Sequence, residues 1–139
     1  MGAGIAQVSA CAGYSLTLVD IKADVIESGV ASIRSSLTRM VSKGKLDQKT
    51  SDEALERIQT SLDLEDLAEC DLVVEAIPEV LDLKTSTFNR LDAICKPSAI
   101  LASNTSSISI NTIAESTSRP ERVIGMHFMN PVPIMKLVE

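Results

Sequence analysis

The sequence predicts an α/β fold in which a mostly parallel sheet is doubly wound by helices, and three observations predict it. Short apolar or β-branched runs alternate along the chain with longer stretches of helical period, the order expected of βαβ units. Two of the runs, 72–77 and 99–103, are almost continuously apolar, as strands covered on both faces require. The third observation is bulk: 45% of the 139 residues are hydrophobic, enough for one core, and neither repeat nor linker divides the chain.

Residues 3–12 are small and apolar with no breaker, and Gly13 follows; this predicts a short, tightly packed helix ended by a glycine in left-handed geometry. Residues 15–20, Ser-Leu-Thr-Leu-Val-Asp, alternate and include β-branched side chains, predicting a strand that ends on an acid. Over 24–45 the apolar residues fall at Val25, Ile26, Val30, Ile33, Leu37, Met40 and Val41, a helical spacing that Gly44 stops. Thr50-Ser-Asp-Glu53 has the form of a capping box before Ala54, Leu55 and Ile58, so a second helix should fold back on the first as an antiparallel hairpin. Pro78 closes the strand at 72–77. Helical period returns over 81–94 through Leu83, Phe88, Leu91 and Ile94, and Pro97-Ser98 breaks it ahead of the strand at 99–103. A short helix over 109–116, a strand over 123–128 and a last strand over 134–139 complete the alternation.

Composition narrows the function classes. A net charge of −6 repels phosphate backbones and anionic membranes. With no Trp, one Tyr and two Phe, stacking on nucleic-acid bases is poorly supplied. No apolar run approaches the roughly 18 to 20 residues that span a bilayer, and no basic region precedes an apolar core at the N-terminus. Cys11, Cys70 and Cys95 are widely spaced, with one histidine to help them; they read as thiols in a reducing compartment, and no metal site is expected.

Residues 1–7, Met-Gly-Ala-Gly-Ile-Ala-Gln, already read as helix. In a dinucleotide-binding unit a first strand leads into G-x-G-x-x-G, whose third glycine lets the helix pack closely while its N-terminus faces pyrophosphate. Gly2 fits that third position, which implies a missing first strand and two missing glycines, although a glycine near a helix start has other uses. Asp20 lies 18 positions on, at the end of the next strand, close to the roughly 20-residue offset at which an acid bonds the adenosine ribose hydroxyls. A carboxylate there also repels a 2′-phosphate, so NAD is expected rather than NADP. The alternative for Asp20 is a cap on the following helix.

His127 is the sole histidine and stands at the end of an apolar strand. Asn130-Pro-Val-Pro133 cannot continue a central strand, so the chain should turn and bring Glu139 back toward it. An imidazole takes a hydroxyl proton near neutral pH, while a carboxylate fixes its tautomer and stabilises the imidazolium. A lone histidine on a strand is also a common structural residue. Asn104-Thr105-Ser106 follow the 99–103 strand at the edge where open α/β sheets gather ligands, though Ser106 and Asn130 both sit in turn-forming sequence.

Four motifs, Met1-Gly-Ala-Gly-Ile-Ala-Gln7, Val73-Val-Glu-Ala-Ile77, Ala102-Ser-Asn-Thr-Ser-Ser107 and His127-Phe-Met-Asn-Pro-Val-Pro133, together with Lys136-Leu-Val-Glu139, make the whole chain resemble the L-3-hydroxyacyl-CoA dehydrogenases, including the 3-hydroxybutyryl-CoA enzymes. The resemblance implies a Rossmann-type domain, with the helical hairpin as an insertion, that uses NAD to interconvert L-3-hydroxyacyl-CoA and 3-ketoacyl-CoA. It implies that His127 is the base and Glu139 its orienting partner, that Ser106 bonds the substrate oxygen, and that Asn130 contacts nicotinamide and substrate. Gly2, Asp20, Glu79, Lys84, Asn104, Ser106 and Asn130 then belong to the cofactor site, and Ser36 and Lys43 to the coenzyme A tail. Arg39, Lys43 and Lys45 form a basic patch suited to its phosphates, although a solvated helix face explains them nearly as well, as it does Lys84.

Residues 1–139 are accordingly expected to be a single NAD-binding domain truncated at both ends. A helical second domain, absent here, would carry homodimer contacts and part of the substrate cleft, so the 139 residues alone should be unstable or weakly active. The alternatives are a related hydroxyacid or sugar-acid dehydrogenase and a non-catalytic, lens-type structural or nucleotide-binding protein on the same fold. The compartment is expected to be cytoplasm, or else mitochondrial matrix.

Overall fold

A computed structural model describes residues 1–139. The chain forms two compact units: one combines Met1–Asp63 with Asn130–Lys136, the other Leu64–Met129 with Leu137–Glu139.

The first unit contains α1 (Gly2–Cys11), β1 (Leu16–Val19), α2 (Ala23–Ser42), α3 (Gln48–Glu56) and β2 (Ile58–Ser61). Its core joins Ala6 and Ala10 to Ile33, Leu37 and Ala54. Small residues on α1 let the α2–α3 hairpin approach closely, so the hairpin buries Ile26, Ile33 and Leu37 of the predicted apolar stripe, while Val25 at its start stays exposed. Gly13, at φ +97°, ends α1: its N–H donates to Ala10 O and the Tyr14 N–H reaches back to Ser9 O, the glycine cap of a helix terminus. Gly44, at φ +66°, does the same for α2.

Two local expectations are corrected here. The cap of α3 is Asp47, not Thr50. The Asp47 carboxylate accepts the Thr50 N–H at 2.8 Å and the Thr50 hydroxyl at 2.6 Å, so the helix starts about one turn earlier than the Thr50–Glu53 pattern suggests. Ile58 lies in a strand rather than a helix: β2 pairs in parallel with β1, Leu16 opposite Ile58 through Val19 opposite Ser61.

The second unit runs β3 (Leu72–Glu75), α4 (Leu81–Ile94), β4 (Ile100–Ser103), α5 (Ile110–Ala114) and β5 (Val123–Gly125), with short 3₁₀ turns at Leu64–Leu67 and Pro120–Arg122. Its three strands are parallel in the order β3, β4, β5. Phe88 and Leu91 of α4 pack in a core with Leu101, Ala102 and Ile113, all essentially buried. Arg119 secures the end of α4: its guanidinium pairs with Asp92 at 2.6 Å and donates to the Lys96, Asp92 and Cys95 carbonyls, satisfying acceptors that a helix terminus leaves open.

The expected strands at 123–128 and 134–139 are shorter than the apolar runs suggest. β5 stops at Gly125, and between it and the C-terminus only Phe128 and Val138 form an antiparallel bridge. Pro131 and Pro133 have no N–H to give a ladder, and the Pro131 carbonyl is taken by the N–H groups of Ile134 and Met135 in a turn. No helix is long and apolar enough to cross a membrane.

Candidate active site

In the first unit, Gly2 is the first residue of α1, and no side chain caps that helix start. Its first N–H groups are therefore open to an anionic ligand at the positive end of the helix dipole. Gly4 is the constrained glycine of this helix: a Cβ built on it would lie 2.9 Å from Val132 Cβ, so the 130–136 turn rests against α1 only because residue 4 lacks a side chain. Asp20 follows β1, and its Oδ1 accepts the Lys22 N–H at 3.1 Å. That is the helix-entry role, and it leaves Oδ2 for another donor. An uncapped helix start and a carboxylate with a spare oxygen fit a dinucleotide's pyrophosphate and ribose. Asn130 is exposed at the head of the turn and precedes Pro131 through a cis bond.

On α2, Ser36 is half-buried and Lys43 exposed; seven residues apart, they share one stripe of the helix. A shallow concavity on the same helix is lined by Ala31, Arg34, Ser35, Thr38, Arg39 and Ser42. The basic face thus includes Arg34, which the sequence reading passed over, while Ser36 and Lys43 lie beside the concavity rather than in it.

The second unit brings His127 and Glu139 together. His127 Nδ1 lies 3.2 Å from Glu139 Oε2, and the two residues exchange backbone bonds, His127 N–H to Glu139 O at 2.8 Å and Glu139 N–H to His127 O at 3.0 Å. The proline turn returns the chain as expected. A carboxylate accepting from Nδ1–H sets the tautomer whose Nε2 is free to take a proton. The imidazole is partly open, with 28% of its side chain exposed.

The ends of β3 and β4 supply three more predicted positions. Asn104 Oδ1 accepts the Phe128 N–H at 2.7 Å, so its carbonyl is used to hold the residue beside His127. Ser106 is exposed, and its hydroxyl is available to a ligand. Glu79 follows β3 and holds the Thr105 hydroxyl. That bond is the main reason its carboxyl sits at about 2 rather than 4.5; desolvation opposes the shift and the Lys84 ammonium reinforces it.

Lys84 corrects the solvated-helix alternative outright. Its side chain is 1% exposed, and its ammonium meets Glu75 Oε1 at 2.6 Å, Ile77 O at 3.3 Å and Glu79 Oε2 at 3.3 Å. Three protein oxygens occupy its three donors. Glu75 and Ser103, both buried like Thr105, were given no role from the sequence. The signal was an ionisable residue inside an apolar strand, which needs a buried partner.

The family model described as "3-hydroxyacyl-CoA dehydrogenase, NAD binding domain" matches residues 1–139. A 3-hydroxybutyryl-CoA dehydrogenase of Bradyrhizobium diazoefficiens is 51% identical over the full chain, which covers 47% of that relative. Among solved structures, (S)-3-hydroxybutyryl-CoA dehydrogenase from Ralstonia eutropha superposes with a TM-score of 0.96 at 47% identity, over 99% of this chain and 49% of that one. The 3-hydroxybutyryl-CoA dehydrogenase from Escherichia coli K12 gives 0.97 at 44% identity, over 99% of this chain and 29% of that one. The chain spans about half the length of the first curated relatives it matches. With a Rossmann-like α/β architecture, parallel strands and this likeness along its whole length, the chain belongs to the family of 3-hydroxyacyl-CoA dehydrogenase NAD-binding domains.

Proposed function

We propose that the intact protein interconverts L-3-hydroxyacyl-CoA and 3-ketoacyl-CoA, with residues 1–139 as its NAD-binding domain. The observation that carries this reading is the His127–Glu139 pair at 3.2 Å. In the oxidative direction His127 Nε2 takes the 3-hydroxyl proton as C3 becomes a carbonyl carbon, and Glu139 holds the ring and offsets the charge of the imidazolium. NAD, when bound, supplies the acceptor for the hydride that leaves C3. Ser106 and Asn130 bond the substrate oxygen and orient the reacting groups. Gly2 and Asp20 hold pyrophosphate and ribose, Glu79, Lys84 and Asn104 support the cofactor side, and Ser36 and Lys43 meet the coenzyme A tail.

We extend the proposal to a homodimer joined through a further helical domain. Three free thiols suit a reducing compartment, cytoplasm or mitochondrial matrix, the net charge of −6 suits a protein without nucleic-acid or membrane partners, and the local basic face of α2 suits the phosphates of a small-molecule acyl-CoA substrate.

The test is NADH oxidation by the purified intact protein with acetoacetyl-CoA, set against NAD reduction with sugar acids and other hydroxyacids. His127→Ala should abolish turnover and leave NADH affinity unchanged. Turnover confined to sugar acids, or a fully active His127→Ala protein, would overturn the reading.

A further inference from the structure

The proposed reaction has no use for the buried acid on β3. Glu75 is 4% exposed and Lys84 1%, and a buried ion pair is poor value for stability alone, because its desolvation cost rivals its attraction. The contacts of this pair instead reach the last residue of β4 and the segment just after β3. Glu75 Oε1 accepts the Ile77 N–H at 2.7 Å and Oε2 accepts the Ser103 hydroxyl at 2.6 Å, which joins the ends of β3 and β4. Ser103 Oγ then accepts the Thr105 N–H at 3.2 Å. Thr105 Oγ1 donates to Glu79 and accepts the Ile108 N–H at 3.0 Å, and Glu79 closes the circuit on Lys84 at 3.3 Å.

Asn104 stands between Ser103 and Thr105. Its N–H donates to the Glu75 carbonyl at 2.9 Å, and its Oδ1 holds the Phe128 N–H at 2.7 Å. A continuous set of hydrogen bonds and backbone thus runs from the buried pair to the residue after His127. No buried side-chain nitrogen or oxygen lacks a partner, the condition under which a polar network stiffens its surroundings.

We propose that Glu75 and Lys84 are positioning residues, a buried ion pair that fixes the loop after β4 and, through Asn104, the orientation of the His127 imidazole. The inference rests on the dehydrogenase reading for its kinetic consequence. Glu75 acts through Ser103 and Asn104, and Lys84 acts through Glu75 and Glu79.

Two variants of the intact protein test it. Ser103→Ala leaves the ion pair in place and cuts the link from Glu75 to the Thr105 N–H, the one through Ser103 Oγ; Glu75→Gln keeps the side-chain shape and removes the charge. Both should lower kcat for acetoacetyl-CoA reduction by about tenfold to a hundredfold while changing NADH Kd less than about threefold, as expected when geometry rather than binding is lost. Phe128 amide hydrogen exchange reads the same link without turnover and should be faster in both variants. A Ser103→Ala protein with native circular dichroism, wild-type kcat and unchanged Phe128 exchange overturns the proposal, and it decides the matter alone if Glu75→Gln does not fold. Wild-type protein inert toward acetoacetyl-CoA sinks the dehydrogenase reading instead, and Phe128 exchange still judges the positioning link.

Discussion

Replacing Gly4 by alanine should destabilise a helix that alanine normally favours. The added Cβ would stand 2.9 Å from Val132 Cβ and 3.2 Å from its Cγ2, the first contact about 0.6 to 1.1 Å inside the roughly 3.5–4.0 Å optimum for carbon pairs. Val132 is 5% exposed and has little room to yield. Overpacking of this kind costs about 1–3 kcal/mol, against about 0.8–1 kcal/mol that alanine gains over glycine within a helix, so the net expectation is a loss of up to about 2 kcal/mol. Gly29→Ala is the matched control. Gly29 lies within α2, and its nearest neighbours, Ala3 Cβ and Leu18 Cδ2, would be at an ordinary 3.7 Å; there the same substitution should stabilise by about 0.5–1 kcal/mol. Urea unfolding of the intact protein followed by far-UV circular dichroism measures both. If Gly4→Ala is as stabilising as Gly29→Ala, the close approach of the 130–136 turn to α1 is not what constrains residue 4.

Three other outcomes are expected. Glu139→Gln keeps an acceptor for His127 Nδ1 but loses the charge that offsets the imidazolium; steady-state kinetics should show kcat falling about tenfold, a hydrogen bond to a charged group being worth about 1.5–3 kcal/mol before solvent weakens it at this exposed site, with KM for NADH little changed. Asp20→Ala should erode discrimination against NADPH by about tenfold or more if its carboxylate bonds ribose and repels a 2′-phosphate as proposed, measured as the ratio of kcat/KM for NADH to that for NADPH. Glu79 has its folded pKa depressed to about 2 from 4.5, so its contribution is complete above pH 4.5 and is lost as pH falls toward 2; Glu79→Gln should flatten the stability profile over that interval, and a profile as steep as wild type would show that other carboxylates govern it.

The sequence carried the alternation of strands and helices because apolar period is a local property, and it carried the return of Glu139 to His127 because two prolines leave the chain little choice but to turn. β2 was hidden for the opposite reason. Gln59, Thr60 and Ser61 look like loop residues, and Ile58 also fitted the period of α3; only pairing with β1 makes them a strand. Periodicity likewise treats a lysine as solvated, so a wet helix face stood as the alternative to the cofactor role of Lys84, and neither reading contained its buried partner Glu75, nine residues back. The roles of Gly4 and Asn104 depend on contacts with residues 128 and 24 positions away in sequence, which no window along the chain contains.

The paired backbone bonds between residues 127 and 139 are made by atoms that every amino acid but proline possesses. Whatever side chain occupies position 139, the main chain still delivers it beside the imidazole. Scaffold and reagent are therefore separable at this point: the acid can be exchanged for an amide, a hydroxyl or a shorter carboxylate to retune the histidine, and the fold need not be rebuilt to receive it.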